Sequence, residues 1–209
     1  MDKIGLNTEQ EIFWSSNFGN NYIKRNRSFD LFLKKYKALK NILSSLNNIE
    51  TVIEFGANIG LNLLAIHEIF PKTKLYAVDI NKKAITELKK IKGIEHIFED
   101  SILTFKNNLQ YDMVLSAGLL IHINPDMLHK AYKTIYNSTK KYILIDEYYN
   151  PTPVEVEYRG NKGKLFKRDF VGEMMAIYPD LKLIDYGFCY HMDNNYFADD
   201  STWFLIERA

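Results

Sequence analysis

The chain has little sulfur chemistry to offer: Cys189 is the one cysteine among 209 residues. No intramolecular disulfide can form, which favours a reducing compartment. No cysteine–histidine cluster is present, so no metal centre is expected. A run of about eighteen apolar residues, the length that marks a membrane-crossing helix, is also missing. The opening residues, Met1-Asp2-Lys3-Ile4-Gly5, lack the apolar stretch of a secretory signal. Charge of one sign is scarce: 27 Lys and Arg against 26 Asp and Glu leave a net charge of +1. A nucleic-acid binder would carry a strong basic excess. Neither an internal repeat nor a low-complexity linker is visible. These absences leave a soluble cytoplasmic protein, monomer or homodimer, whose partner is a small molecule rather than nucleic acid or membrane. At 46% hydrophobic residues, the composition suffices for one globular core.

What is present is a rhythm of short strands and helices. The first segment, to about Asn26, mixes Phe13, Trp14, Phe18 and Tyr22 with polar residues and has poor apolar periodicity. Ser28 reads as an N-cap with Asp30 in the first turn. Phe32, Tyr36, Leu39, Leu43 and Leu46 then follow at helical spacing, predicting one helix over Ser28–Leu46. From Thr51 the period changes. Strands are predicted over Thr51–Phe55, Lys74–Ile80, Glu95–Glu99, Tyr111–Ser116 and Lys141–Glu147. Helices are predicted over Leu61–Phe70, Lys82–Lys92 and Pro125–Ser138, with Pro71 and Gly93 as stops. Such alternation implies a parallel sheet with helices on both faces. After a helix over Arg168–Tyr178, Leu181–Tyr190 and Thr202–Glu207 read as an antiparallel pair. The expected fold is α/β: a doubly wound, mostly parallel seven-stranded sheet ending in an antiparallel hairpin.

The strongest local feature is Val52-Ile53-Glu54-Phe55-Gly56-Ala57-Asn58-Ile59-Gly60, which ends a strand and opens a helix. Glycines there let backbone approach a ligand and adopt positive φ. The next strand ends in Asp79-Ile80, where a carboxylate can accept hydrogen bonds from both ribose hydroxyls of an adenosine. A dinucleotide oxidoreductase is the rival reading, but its fingerprint has closely spaced glycines for a pyrophosphate. Here Gly56 and Gly60 are three residues apart and Glu54 precedes them. A carboxylate repels a pyrophosphate. It attracts the cationic amino-acid end of a sulfonium cofactor.

At these residues the chain resembles the class I methyltransferases that use S-adenosylmethionine. Glu54-x-Gly56-x-x-x-Gly60 is similar to their first motif, with Asn58 where many members have glycine. Asn tolerates left-handed geometry, so the turn survives. The resemblance implies that Glu54, Gly56, Ala57, Asn58, Gly60, Asp79 and Ile80 hold S-adenosylmethionine. It also implies that Asp100-Ser101 cap the adenine amino group, and that Ser116-Ala117 belong to the fourth-strand motif running on to Leu120-Ile121-His122-Ile123. The product would be S-adenosylhomocysteine. A closer likeness covers both ends: Phe13-Trp14, Phe18-Gly19-x-x-Tyr22 and Arg25-Asn26, then Tyr158-Arg159-Gly160-x-Lys162-Gly163-Lys164-Leu165-Phe166-Lys167-Arg168-Asp169-Phe170. Asp185-Tyr186-Gly187-Phe188, His191 and Asp193-Asn194 complete it. These resemble the methylases associated with pseudaminic acid biosynthesis, which implies a small, anionic, sugar-acid or nucleotide-linked sugar acceptor. Residues 1–50 would then be an N-terminal helical cap, and 51–209 the methyltransferase domain with a basic insert around 150–169.

Methyl transfer is a displacement at a carbon on positive sulfur, and holding the nucleophile in line supplies much of the catalysis. A base is needed only where the acceptor must lose a proton. Acceptor-side candidates follow the fourth and fifth strands. His122 is a base candidate, or else a contact residue at a helix start. Glu147 is a base candidate, or else a group that orients the acceptor. Tyr148 and Tyr149 follow it. Pro151 and Pro153 break regular structure, and the basic loop beyond them offers Arg159, Lys164 and Arg168 to an anion. Guanidinium forks are favoured for oxyanions. Tyr190 and His191 lie in the last connection, and His191 is a second base candidate. Trp14 and Tyr22 either cover the cofactor or pack on the sheet. The alternatives kept open are methylation of an amine or carboxylate on another metabolite, and a non-catalytic S-adenosylmethionine-binding module.

Overall fold

The computed structural model describes residues 5–193 and 199–209, so Asn194 and Asn195 lie outside the described residues. Three helices open the chain: α1 (Glu9–Ser15), α2 (Asn17–Arg25) and α3 (Phe29–Ile42). A capping box starts α1: the Thr8 hydroxyl accepts from the Glu11 backbone N–H, and the Glu11 carboxylate accepts from that of Thr8. The Ser28 hydroxyl caps α3 by accepting from the Leu31 N–H. That helix stops short of the predicted Leu46. Leu43 and Leu46 are buried, so their apolar spacing is genuine. Ser44, Ser45, Asn47 and Asn48 compete for backbone hydrogen bonds, however, and turn the chain.

The central layer follows as β1 (Thr51–Phe55), α4 (Leu61–Ile69), β2 (Lys74–Asp79), α5 (Lys82–Leu88), β3 (Ile94–Glu99), β4 (Tyr111–Ala117), α6 (Leu128–Ser138) and β5 (Thr139–Glu147). Helix α5 ends before the predicted Lys92, in tight turns from Lys90 to Glu87 and from Ile91 to Leu88. Two short 3-10 turns, Leu120–His122 and Pro125–Met127, link β4 to α6. Next come a hairpin of β6 (Val154–Tyr158) and β7 (Asn161–Lys167), then α7 (Phe170–Ile177), β8 (Leu181–Cys189) and β9 (Ser201–Arg208).

The main sheet has the order β3-β2-β1-β4-β5-β9-β8. β1 to β5 run parallel, and β9 enters antiparallel to both β5 and β8. Strand residues alternate between faces. Ile53, Phe55, Val114, Ile143, Ile145 and Ile206 pack under α6 and α7. Val52, Leu115, Leu144 and Leu205 pack under α3 and α4. The strand order reverses between β1 and β4, so connections diverge there and leave a crevice at the strands' carboxyl ends. No helix among the described residues is long and apolar enough to cross a membrane.

The basic insert departs from expectation. Pro151 and Pro153 predicted an irregular loop, whereas the residues after them form a two-stranded sheet pairing Val154 with Lys167 and Tyr158 with Asn161. Its tip is Arg159-Gly160, with φ of 52° and 78°. Two successive positive φ values are what a two-residue type I′ hairpin turn demands. The prolines end before the strand begins and leave its ladder intact.

Candidate functional site

The crevice at the β1/β4 divergence opens into a cavity of ≈ 270 Å³. Its floor is built by the turns that follow β1, β2, β4 and β5. Gly56, Asn58 and Gly60 all adopt left-handed φ (72°, 50° and 78°), which lets the chain fold back before α4. A Cβ on Gly56 would lie 3.0 Å from Leu119 Cδ1, and one on Gly60 2.6 Å from Ile91 Cδ1. Both glycines are therefore required twice over, by conformation and by space.

Glu54 alternates with Ile53 and Phe55, so it faces the α3/α4 side. There it meets Asn62 of α4, whose Nδ2 donates to Oε1 at 2.6 Å. Lys35 of α3 donates to Asn62 Oδ1 at 2.8 Å, completing a buried chain of polar groups. Burial pushes the Glu54 carboxyl up to about 8, against the opposing influence of Asn62 and Lys35. Burial likewise lowers Lys35, while Glu54, Asp146 and Asp199 hold it up. Glu54 Oε2 has no hydrogen-bond partner among the described residues, and neither has Asn58 Oδ1. Such groups mark a place where a polar ligand is expected.

Asp79 ends β2 and accepts from the backbone N–H groups of Asn58 (2.8 Å) and Asn81 (2.7 Å). Burial raises it to about 6, with those N–H groups pulling the other way. Ile80, Ser101, Ala117 and Ala57 also line the cavity. Asp100 does not: its carboxylate turns back onto the Ser101 N–H and the Thr104 hydroxyl, at 2.7 and 2.8 Å. Ser116 lies beneath the cavity and donates to Glu147 Oε1.

Glu147 lines the cavity, yet its oxygens are engaged. Oε1 accepts from the N–H groups of Leu119 (2.9 Å) and Leu120 (2.8 Å), and Oε2 faces the Ile121 N–H at 3.4 Å. Burial still raises this carboxyl to about 7. The geometry makes it a clamp on the turn that carries His122 rather than a free base. His122 is buried beside the rings of Trp14 and Tyr158, 4.5 and 4.9 Å away between centroids. Its Nδ1 lies 2.6 Å from the Lys164 carbonyl. A carbonyl only accepts, so Nδ1 carries the hydrogen and Nε2 keeps its lone pair. Desolvation lowers this imidazole to about 4, so it is neutral at neutral pH.

The cover of the cavity comes from α1, α2 and the β6–β7 hairpin. The Trp14 carbonyl accepts from Asn81 Nδ2 at 2.9 Å, tying α1 to the end of β2. Tyr22, Tyr148, Tyr158 and Arg159 line the wall, with the Arg159 guanidinium 5.7 Å from the Tyr158 ring centre. Burial pushes Tyr22 up to about 12 and also raises Tyr148, so both phenols stay protonated.

Other sequence candidates fall outside the cavity lining. Lys164 pairs with Glu9 at 3.2 Å, and Arg168 with Glu173 at 2.7 Å. Tyr149 is half-exposed against Phe204. Tyr190 is exposed, and His191 forms an exposed ion pair with Asp200 at 2.8 Å. The last connection therefore turns away from the crevice within its described residues. Sequence reasoning missed Gln10, Glu11, Lys35, Asn62, Tyr158 and Asp199, all of which line the cavity. The Thr8-x-x-Glu11 spacing was a usable signal for α1. Nothing local marked Lys35, since its role depends on α3 packing over β1.

No family model and no curated protein sequence matches the chain. Solved structures do resemble it. Magnesium protoporphyrin IX methyltransferase from Synechocystis PCC 6803, with S-adenosylmethionine bound, superposes with a TM-score of 0.68 at 10% identity. The match covers 98% of this chain and 100% of that one. The 1,6-didemethyltoxoflavin N1-methyltransferase of Burkholderia thailandensis, with its substrate and S-adenosylhomocysteine bound, gives 0.71 at 13% identity, covering 100% and 93%. The N-methyltransferase NodS of Bradyrhizobium japonicum WM9 gives 0.60 at 15%, covering 90% and 98%. The chain thus has the Rossmann-like fold of these methyltransferases, over its whole length.

Proposed function

We propose that the chain is an S-adenosylmethionine-dependent methyltransferase acting on a small acceptor that carries an anionic group, a sugar acid or nucleotide-linked sugar. The observation that carries the cofactor reading is the unsatisfied Glu54 Oε2, buried beside a left-handed glycine turn and facing the same cavity as Asp79. An ammonium suits a buried carboxylate that lacks a partner, and a pyrophosphate does not. In this reading Glu54 holds the amino group of the cofactor's methionine end. Asp79 holds the ribose hydroxyls, and Gly56, Ala57 and Asn58 let backbone approach. Ile80, Ser101 and Ala117 enclose the base. Neighbouring folds crystallised with S-adenosylmethionine or S-adenosylhomocysteine support it.

The cofactor supplies an electrophilic methyl group on positive sulfur. The residues here supply position and exclude water. Glu147 fixes the turn after β4, so His122 is held where Nε2 can accept a hydrogen bond from the acceptor's O–H or N–H. At about 4, the ring is a weak base, suited to orienting the nucleophile and taking its proton late. Arg159, the one hairpin cation lining the cavity, is the group for an acceptor anion. The resemblance to methylases of sugar-acid biosynthesis and this single guanidinium both support the anionic acceptor. Calorimetric titration with S-adenosylmethionine, S-adenosylhomocysteine and NAD tests the cofactor. Micromolar binding of the first two without NAD is expected, and tight NAD binding alone would overturn the reading. A screen of sugar acids and their nucleotide forms with labelled methyl donor then tests the acceptor. Binding without turnover of any of them would favour a non-catalytic binding module.

A further inference from the structure

One face of the cavity has so far been given no role. Gln10, Glu11 and Trp14 line it from α1, at spacings that bring them to one side of the helix. Each carries a buried polar atom with no hydrogen-bond partner among the described residues: Gln10 Oε1, Glu11 Oε1 and Trp14 Nε1. Their orientations are set by other bonds. Gln10 Nε2 donates to the Gly163 carbonyl at 2.8 Å, so its amide oxygen must face the other way. Glu11 Oε2 takes the N–H groups of Asn7 and Thr8 and the Thr8 hydroxyl, leaving Oε1 over. The face therefore offers two acceptors and one donor.

The opposite wall lacks the group that the sequence assigned to the adenine amine. Asp100 is committed to its own loop and lines no part of the cavity. An adenine edge presents an amine with two hydrogens beside a ring nitrogen that accepts, which is the complement of the α1 face. We propose that α1 reads this edge, with Glu11 and Gln10 accepting from the amine and Trp14 donating to a ring nitrogen. The inference rests on the cofactor reading above. It gives Glu11 two duties, since one oxygen caps the helix and the other recognises the base.

Substituting glutamine at this position separates the duties. In Glu11→Gln the amide oxygen can keep the capping box, while an N–H₂ replaces the free acceptor. Calorimetry with S-adenosylhomocysteine and S-inosylhomocysteine reads the result, because inosine puts a carbonyl where adenosine has its amine. The wild-type chain is expected to prefer the adenosyl compound by about tenfold or more, as sites built on buried polar pairing do. Glu11→Gln is expected to shift that preference toward the inosyl compound by about tenfold. Trp14→Phe, which removes only the indole N–H from an aromatic of similar shape, is expected to weaken adenosyl binding severalfold. A base preference unchanged in Glu11→Gln, or unchanged adenosyl affinity in Trp14→Phe, would overturn the proposal. Wild-type protein that binds neither compound would instead sink the cofactor reading itself.

Discussion

The floor and the cover of the cavity solve different problems with similar residues. On the floor, charged groups sit on rigid parallel strands and are left incompletely paired: Glu54 keeps one bare oxygen, and Asp79 is raised to about 6 despite two backbone donors. On the cover, charged groups mostly neutralise one another. Of the basic residues in and beside the hairpin, Lys164 is taken by Glu9 and Arg168 by Glu173, and Lys167 lies over the Tyr148 ring. Arg159 at the tip reaches the cavity, and does so from a backbone conformation unfavourable for a residue with a Cβ. Counting charges overstates a binding surface. What matters is which charges the fold leaves without an internal partner.

Four measurements would break or sharpen this contrast. The largest effect is expected at the floor, where Gly56→Val combines a left-handed φ with a side chain pressed against Leu119. Loss of S-adenosylhomocysteine affinity by at least about a hundredfold is expected from strain and overpacking together. Calorimetry reads it, alongside a melting curve that confirms folding. Asp79→Ala should weaken the same ligand by about ten- to a hundredfold, the range for hydrogen bonds to a charged group. Intact binding in both variants would remove the floor from the site.

On the cover, Arg159→Ala should lower kcat/KM for an anionic acceptor by about tenfold, as loss of a charge-assisted contact does. Arg168→Ala should change kcat/KM by less than about twofold, because its partner Glu173 lies off the cavity and a partly exposed pair contributes little. Equal losses would mean that the hairpin acts as a diffuse basic patch after all.

The smallest effect is one of pH. The Glu54 carboxyl is raised to about 8 in the folded chain from an ordinary value of 4.5, so ligand-free protein holds a proton there at neutral pH. A ligand ammonium favours the ionised form, so binding of S-adenosylhomocysteine should release a proton and tighten between pH 6 and about 8. Ligand-free stability should run the other way. A carboxyl raised by folding contributes stability below its unfolded value, and that contribution is lost as pH rises through the folded value. Glu54→Gln should flatten both slopes, and unchanged slopes would assign the titration elsewhere.

Much of the fold was legible beforehand. Thr51–Phe55 was read with the bounds that the structure shows, because a β-branched and aromatic run ending in glycine is a local signal. The terminal antiparallel pair was read from two strand patterns without a helix between them. The insert was misread because prolines and glycines dominate its composition, while its Val154, Val156 and Tyr158 alternation is short. Glu147 shows the same limit in the site. Its place after β5 was plain, but sequence could not say that the backbone of the β4 turn would claim its oxygens.

Sequence by itself determined what depends on neighbours along the chain. It set the strand and helix periods, the glycine turn that needs positive φ, and the acidic ends of β1 and β2, because backbone preference and face alternation are properties of a few consecutive residues. Tertiary structure decided which polar groups have partners. Lys164 meets Glu9 across 155 positions, and Gln10 meets Gly163 across 153. Such pairings exist only once α1 is laid against the hairpin, and they decide which charges face a ligand and which face each other.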